Sequence, residues 1–140
     1  MTVQTIVFSD ASRIIAGVVL ITIVTIEIGG WFLTKIARGD VPMTEFQKSF
    51  ARAGHGHAGM LVTLGLVCLV LADGADLSGF LGWWSRVGVP LAAILMSAGF
   101  FAASAGKGLT KPNKLIGVLW LGALALATGV VTLGLGLLTT

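Results

Sequence analysis

An all-α membrane protein, with four transmembrane helices in an up-down bundle joined by short loops, is what this sequence predicts. Three observations predict it. Mean hydropathy is +0.99, and only 11% of the 140 residues are charged against 56% hydrophobic. Soluble domains carry roughly 25% charged residues, and the charges here are too few to solvate a water-facing surface of this size. Four apolar runs are each about the twenty residues that a spanning helix needs, at approximately 14–34, 53–72, 87–105 and 115–138. The cations fall outside these runs and unevenly, seven on one side against two on the other. Disorder is excluded by the same arithmetic, because disordered chains are poor in apolar residues. A chain of this length is read as one domain, 1–140.

The first span, Ile14 to Thr34, is interrupted only by Glu27. It is too long for the apolar core of a signal peptide, and no basic cluster precedes it. Pro42 stops any continuation, and Thr44 with Gln47 makes a capping-box pattern. Phe46 and Phe50 lie one turn apart, as do Lys48 and Arg52. Segment 44–52 therefore reads either as an interfacial helical turn or as a second helix protruding from the membrane. The Asp73-Gly74-Ala75-Asp76 stretch is too short for an EF-hand loop and reads as a turn. The third and fourth spans follow with a short lysine-bearing connection between them.

Sidedness follows from charge. The 35–52 and 106–114 connections hold Lys35, Arg38, Lys48, Arg52, Lys107, Lys111 and Lys114, and the opposite side holds only Arg13 and Arg86. The positive-inside rule then places both basic loops in the cytoplasm and both termini outside a bacterial plasma membrane. Trp83 and Trp84 would mark the outer interface, with Trp31 and Trp120 toward the inner one. The pI near 9.5 is therefore topology rather than affinity for nucleic acid. Many of the 20 glycines lie inside spans, and Ala93–Ser97, Ala123–Ala127 and Ala125–Gly129 are small-residue pairs at helical spacing. Lipid does not drive helices together hydrophobically, so such residues point to close packing, internal or against partners.

Chemistry is confined to few residues. Glu27 lies eight residues before Lys35, roughly 12 Å from the basic end of its helix. Intramembrane acids face protein or water and mark either ion pathways or structural hydrogen bonds. His55 and His57, both in Arg52-Ala53-Gly54-His55-Gly56-His57-Ala58-Gly59, point roughly 200° apart on a helix. They do not share a metal there, and Cys68, more than two turns deeper, does not complete a ligand set. A bis-histidine haem would need a second copy of the chain, with Met60 or Met96 offering only a His/Met pair. No cofactor and no metal are expected. An antiparallel hairpin of the first two spans sets Glu27 level with about residue 61 and His57 about a turn nearer the basic loops. That pair either relays protons or satisfies a buried acid. Gly106-Lys107 lacks the remainder of a phosphate-binding loop, and no nucleophile–base set is visible, so no enzyme is expected.

Phe50-Ala51-Arg52-Ala53-Gly54-His55-Gly56-His57-Ala58-Gly59, then Ala98-Gly99-Phe100-Phe101 and Lys111-Pro112-Asn113-Lys114-Leu115-Ile116, resemble a group of uncharacterised small four-span integral membrane proteins of actinobacteria. The resemblance implies the same four-span fold and brings no assigned activity or catalytic residue. Some similarly small membrane proteins of those bacteria are accessory subunits of a respiratory supercomplex, a role extended here by class alone. The leading expectation is a non-enzymatic accessory or structural subunit, with protein partners or further copies of itself in the bilayer. The alternatives are a small transporter or proton-conducting protein using Glu27 and His57, and a haem- or metal-binding redox protein.

Overall fold

A computed structural model of the chain describes residues 7–75 and 77–139. Four helices follow in order: α1 Asp10–Arg38, α2 Glu45–Gly74, α3 Gly79–Ser104 and α4 Ile116–Leu138. All four are long and apolar enough to cross a membrane. Even α4, with 23 residues, reaches about 35 Å at 1.5 Å per residue, past a hydrocarbon core of about 30 Å. The fold class expected from hydropathy is therefore the observed one.

Local chemistry sets the helix ends. Ser9 caps α1 by accepting from the Ser12 N–H at 3.1 Å. Gly39, with φ of 82°, ends it in the left-handed region, and the Gly39 and Asp40 N–H groups donate to the Ile36 and Lys35 carbonyls. The Thr44/Gln47 capping box is present and opens α2, which runs unbroken to Gly74. Of the two readings of 44–52, the structure favours the longer second helix, since the segment is continuous with α2. Asp73 and Gly74 close α2 rather than forming a free turn, and Asp76 lies outside the described residues, as do residues 1–6.

The third helix departs from the hydropathy reading. It begins at Gly79, so Trp83, Trp84 and Arg86 sit in its first turns and not in a connection. A charge breaks an apolar run without breaking a helix, and Arg86 is tolerated because its guanidinium is paired inside the protein. Pro90 also lies within α3, and its ring packs where a Cβ on Gly65 of α2 would stand, 3.3 Å away.

Helices α2, α3 and α4 form the tight part of the bundle, with α3 in the middle. A Cβ on Gly88 would come within 2.8 Å of the Gly129 Cα, and one on Gly122 within 2.6 Å of the Met96 side chain. Such contacts allow α3 and α4 to approach backbone to backbone. Ala125 and Gly129 lie on this buried seam, whereas Ala127 is exposed. Helix α1 leans on α2, barely touches α3 and does not approach α4 among the described residues. Its buried residues are only Ser12, Val19 and Ile36.

The up-down order collects the seven loop cations at one end of the bundle, hereafter the basic end. Gln47 locks that end, its amide donating to the Ser104 carbonyl at 2.9 Å and the Gly106 carbonyl at 2.7 Å. Thr44 donates to the Leu109 carbonyl, and Asn113 Nδ2 donates to the Ala102 carbonyl at 2.8 Å. The loop between α3 and α4 is thus bonded to the start of α2. Trp31 and Trp120 lie toward this end, with Lys35 Nζ 3.9 Å from the Trp31 ring centre. Trp83 and Trp84 group with Phe80 at the other.

Candidate functional site: polar groups inside the bundle

Three polar features interrupt the apolar helices, one at the end opposite the basic loops and two at a common level nearer those loops. The first is at the end opposite the basic loops, where Asp73 of α2 and Arg86 of α3 form an ion pair of 2.7 Å. Asp73 is 2% exposed and Arg86 15%, so the carboxylate is buried and the guanidinium largely so. Ser9 Oγ and Ser12 Oγ each donate to Asp73 Oδ1 at 2.9 Å, and the Ser9 N–H reaches Oδ2 at 3.0 Å. Arg86 Nε donates to Ser12 Oγ at 3.1 Å, Nη1 to the Gly82 carbonyl and Nη2 to the Ala72 carbonyl. One carboxylate therefore binds the start of α1, the end of α2 and the first turns of α3. A buried pair is tolerated when hydrogen bonds compensate its lost hydration, and here each guanidinium nitrogen and both carboxylate oxygens make at least one.

Sequence reasoning missed this cluster. It counted Arg86 as a connection charge and Asp73 as part of a turn. The available signal was weak: one acid and one base flanking the same short connection, with two serines ahead of α1.

The second feature is the histidine pair. His55 and His57 point to different neighbours, as helical spacing requires. His55 packs on α1 at Gly29 and Gly30, where added Cβ atoms would lie 3.3 Å from Nδ1 and 3.4 Å from Cε1. His57 turns toward α3, its ring centre 4.9 Å from that of Phe100, with Nδ1 2.8 Å from the Ala53 carbonyl. The glycines that admit His55 belong to α1. Gly54, beside the histidines, instead accommodates Phe100 and Phe101.

Glu27 is the third. Its side chain lies on the exposed face of α1, with no hydrogen bond or ion pair among the described residues. The contact of His55 with Gly29 and Gly30 sets the antiparallel register. Two residues back along α1 and two forward along α2 bring Glu27 to the height of His57, about a turn from the expected level near residue 61. They share a depth but not a hydrogen bond. No group of three or more metal-ligating side chains occurs among the described residues, and Cys68 is buried apart from both histidines.

Beside these groups, the gap between α1 and α3 leaves an apolar groove of about 500 Å³ floored by α2. Ser97, at its deep end, carries a buried hydroxyl oxygen with no hydrogen-bond partner among the described residues. Comparison with protein-family models, with curated proteins and with solved structures finds no match to this chain.

Proposed function

We propose that this protein is a non-enzymatic subunit of a larger membrane assembly, which it joins through α1. The observation that carries this reading is Glu27, an acid near the middle of an apolar helix, facing outward and unbonded within the described chain. An acid at bilayer centre costs about 2.5–3.5 kcal/mol on insertion scales if Glu resembles Asp, and a hydrogen-bond donor on a neighbouring helix offsets that cost. Arg13, Gly17, Leu20, Val24, Glu27 and Trp31 follow one another at helical spacing on this exposed side of the least-packed helix. A bacterial plasma membrane, with basic loops in the cytoplasm and both termini outside, is the location that fits the charge asymmetry. The resemblance to actinobacterial four-span proteins makes a respiratory supercomplex the first assembly to test.

The test is purification of the tagged chain in mild detergent with identification of whatever accompanies it. Wild-type chain is expected to bring a partner or a second copy, and Glu27→Leu to lose it while remaining folded. Recovery as a lone monomer under several gentle conditions overturns the reading. A second reading, proton conduction through Glu27 and His57, is favoured by their common depth. It predicts proton flux in proteoliposomes that falls in Glu27→Gln and in His57→Ala, and unchanged flux in both sinks it.

A further inference from the structure

From the groove between α1 and α3 we infer a binding site for a single phospholipid, one acyl chain filling the groove and the headgroup resting beside Ser9 and Trp83. The groove begins at Ile14 and Val87, next to the Asp73 end, and closes at Ile26, Ala58 and Ser97. Twelve residues of α1 separate its ends, or about 18 Å of rise, close to the roughly 15 Å depth of one leaflet. It therefore runs along one leaflet and stops near the bilayer middle, as an acyl chain does.

Length selects the occupant. A partner helix crosses the whole bilayer, whereas the groove spans one leaflet and ends at Ile26, Ala58 and Ser97. A flexible hydrocarbon chain of one leaflet's depth follows it and reaches its floor at Val62. Leaving the space empty would forfeit contacts along both walls.

A second, more polar recess of about 300 Å³ adjoins the mouth, lined in part by Ser9, Gly79, Trp83 and Arg86 and sharing Ile15 with the groove. It lies where the headgroup of a lipid in that leaflet would lie. Asp73 neutralises Arg86, so the recess holds no net charge and the lipid is selected by its chain and not by headgroup charge. The site is separate from the Glu27 face, and its test needs no protein partner.

The purified full chain, washed in detergent, is incubated with phosphatidylcholine or phosphatidylglycerol bearing palmitoyl and oleoyl chains. Native mass spectrometry then counts the lipids that remain. One lipid of either class per chain is expected to persist at energies that strip the others. Ser97→Leu and Ala58→Phe, which fill the deep end, are expected to lower the retained fraction about tenfold. Val131→Trp, on the lipid face of α4, is expected to leave it unchanged, and helical content by circular dichroism verifies that each variant is folded. Absence of retained lipid on the wild-type chain overturns the site. So does retention of phosphatidylglycerol alone, or retention undiminished in folded Ser97→Leu and Ala58→Phe.

Discussion

Arg86 Nη2 lies 2.7 Å from Asp73 Oδ1, across two helices and thirteen residues of chain. Both side chains are withdrawn from solvent, and Ser9 and Ser12 complete the carboxylate's hydrogen bonds. Because α1 has so little other contact with the bundle, this cluster is what holds its first turn in place. Losing one partner strands a buried charge, which typically costs about 3–5 kcal/mol, whereas replacing both with apolar residues is often neutral. Arg86→Leu and Asp73→Leu are each expected to lower the thermal midpoint in detergent, and the double variant to recover most of the loss. A double variant as unstable as the sum of the singles would show that the two residues do not act together.

The α3–α4 seam makes a sharper demand. At Gly88 the atom in the way of a Cβ is the Gly129 Cα, which belongs to backbone and cannot rotate aside. Gly88→Ala should therefore separate the helices, at a cost of about 1–3 kcal/mol or more, as overpacking does. At Gly117 nothing lies within 4 Å of the added methyl, so Gly117→Ala is expected to be neutral or to gain up to about 1 kcal/mol of helix propensity. Unfolding in mixed micelles distinguishes them, and equal midpoints for the two variants would contradict the close approach.

Gln47→Leu keeps the size of the side chain and removes its amide. The Ser104 and Gly106 carbonyls and the Thr44 N–H each lose a partner. Each such group left buried and unpaired costs about 1–3 kcal/mol, less where water reaches it. Hydrogen exchange should rise in the start of α2 and across 104–115, while α2 near Cys68 stays protected. Uniformly faster exchange would mean that Gln47 supports the whole bundle rather than this end.

Glu27 makes the opposite prediction for the isolated chain. Having no bond within the described residues, it contributes nothing internal to lose. Glu27→Leu is expected to leave the thermal midpoint of the monomer in detergent unchanged or higher. A clear fall would point to a partner inside the chain and count against an outward docking role.

The four spans, the capping box at Thr44 and Gln47 and the gathering of cations at one end were legible in the amino-acid order. Each depends on hydropathy over one helix length or on residues three apart. The divergence of His55 and His57 was legible for the same reason, since helical spacing alone turns them apart. The start of α3 was not, because hydropathy registers Arg86 as a break and is blind to the carboxylate that pairs it. Nor were the particular seams: Gly88 meets Gly129 and His55 meets Gly29 and Gly30 only once helix rotation and register are set.

By itself, then, the sequence determined that this is a membrane-spanning chain of four helices whose cations share one end. Those properties are sums over local composition. The tertiary structure alone decided that Asp73 and Arg86 are buried together, that Glu27 faces outward, and that α1 stands off from α3 to leave a groove. Each of these depends on which face a helix turns toward a neighbour distant in sequence, and packing of whole helices, not composition, makes that choice.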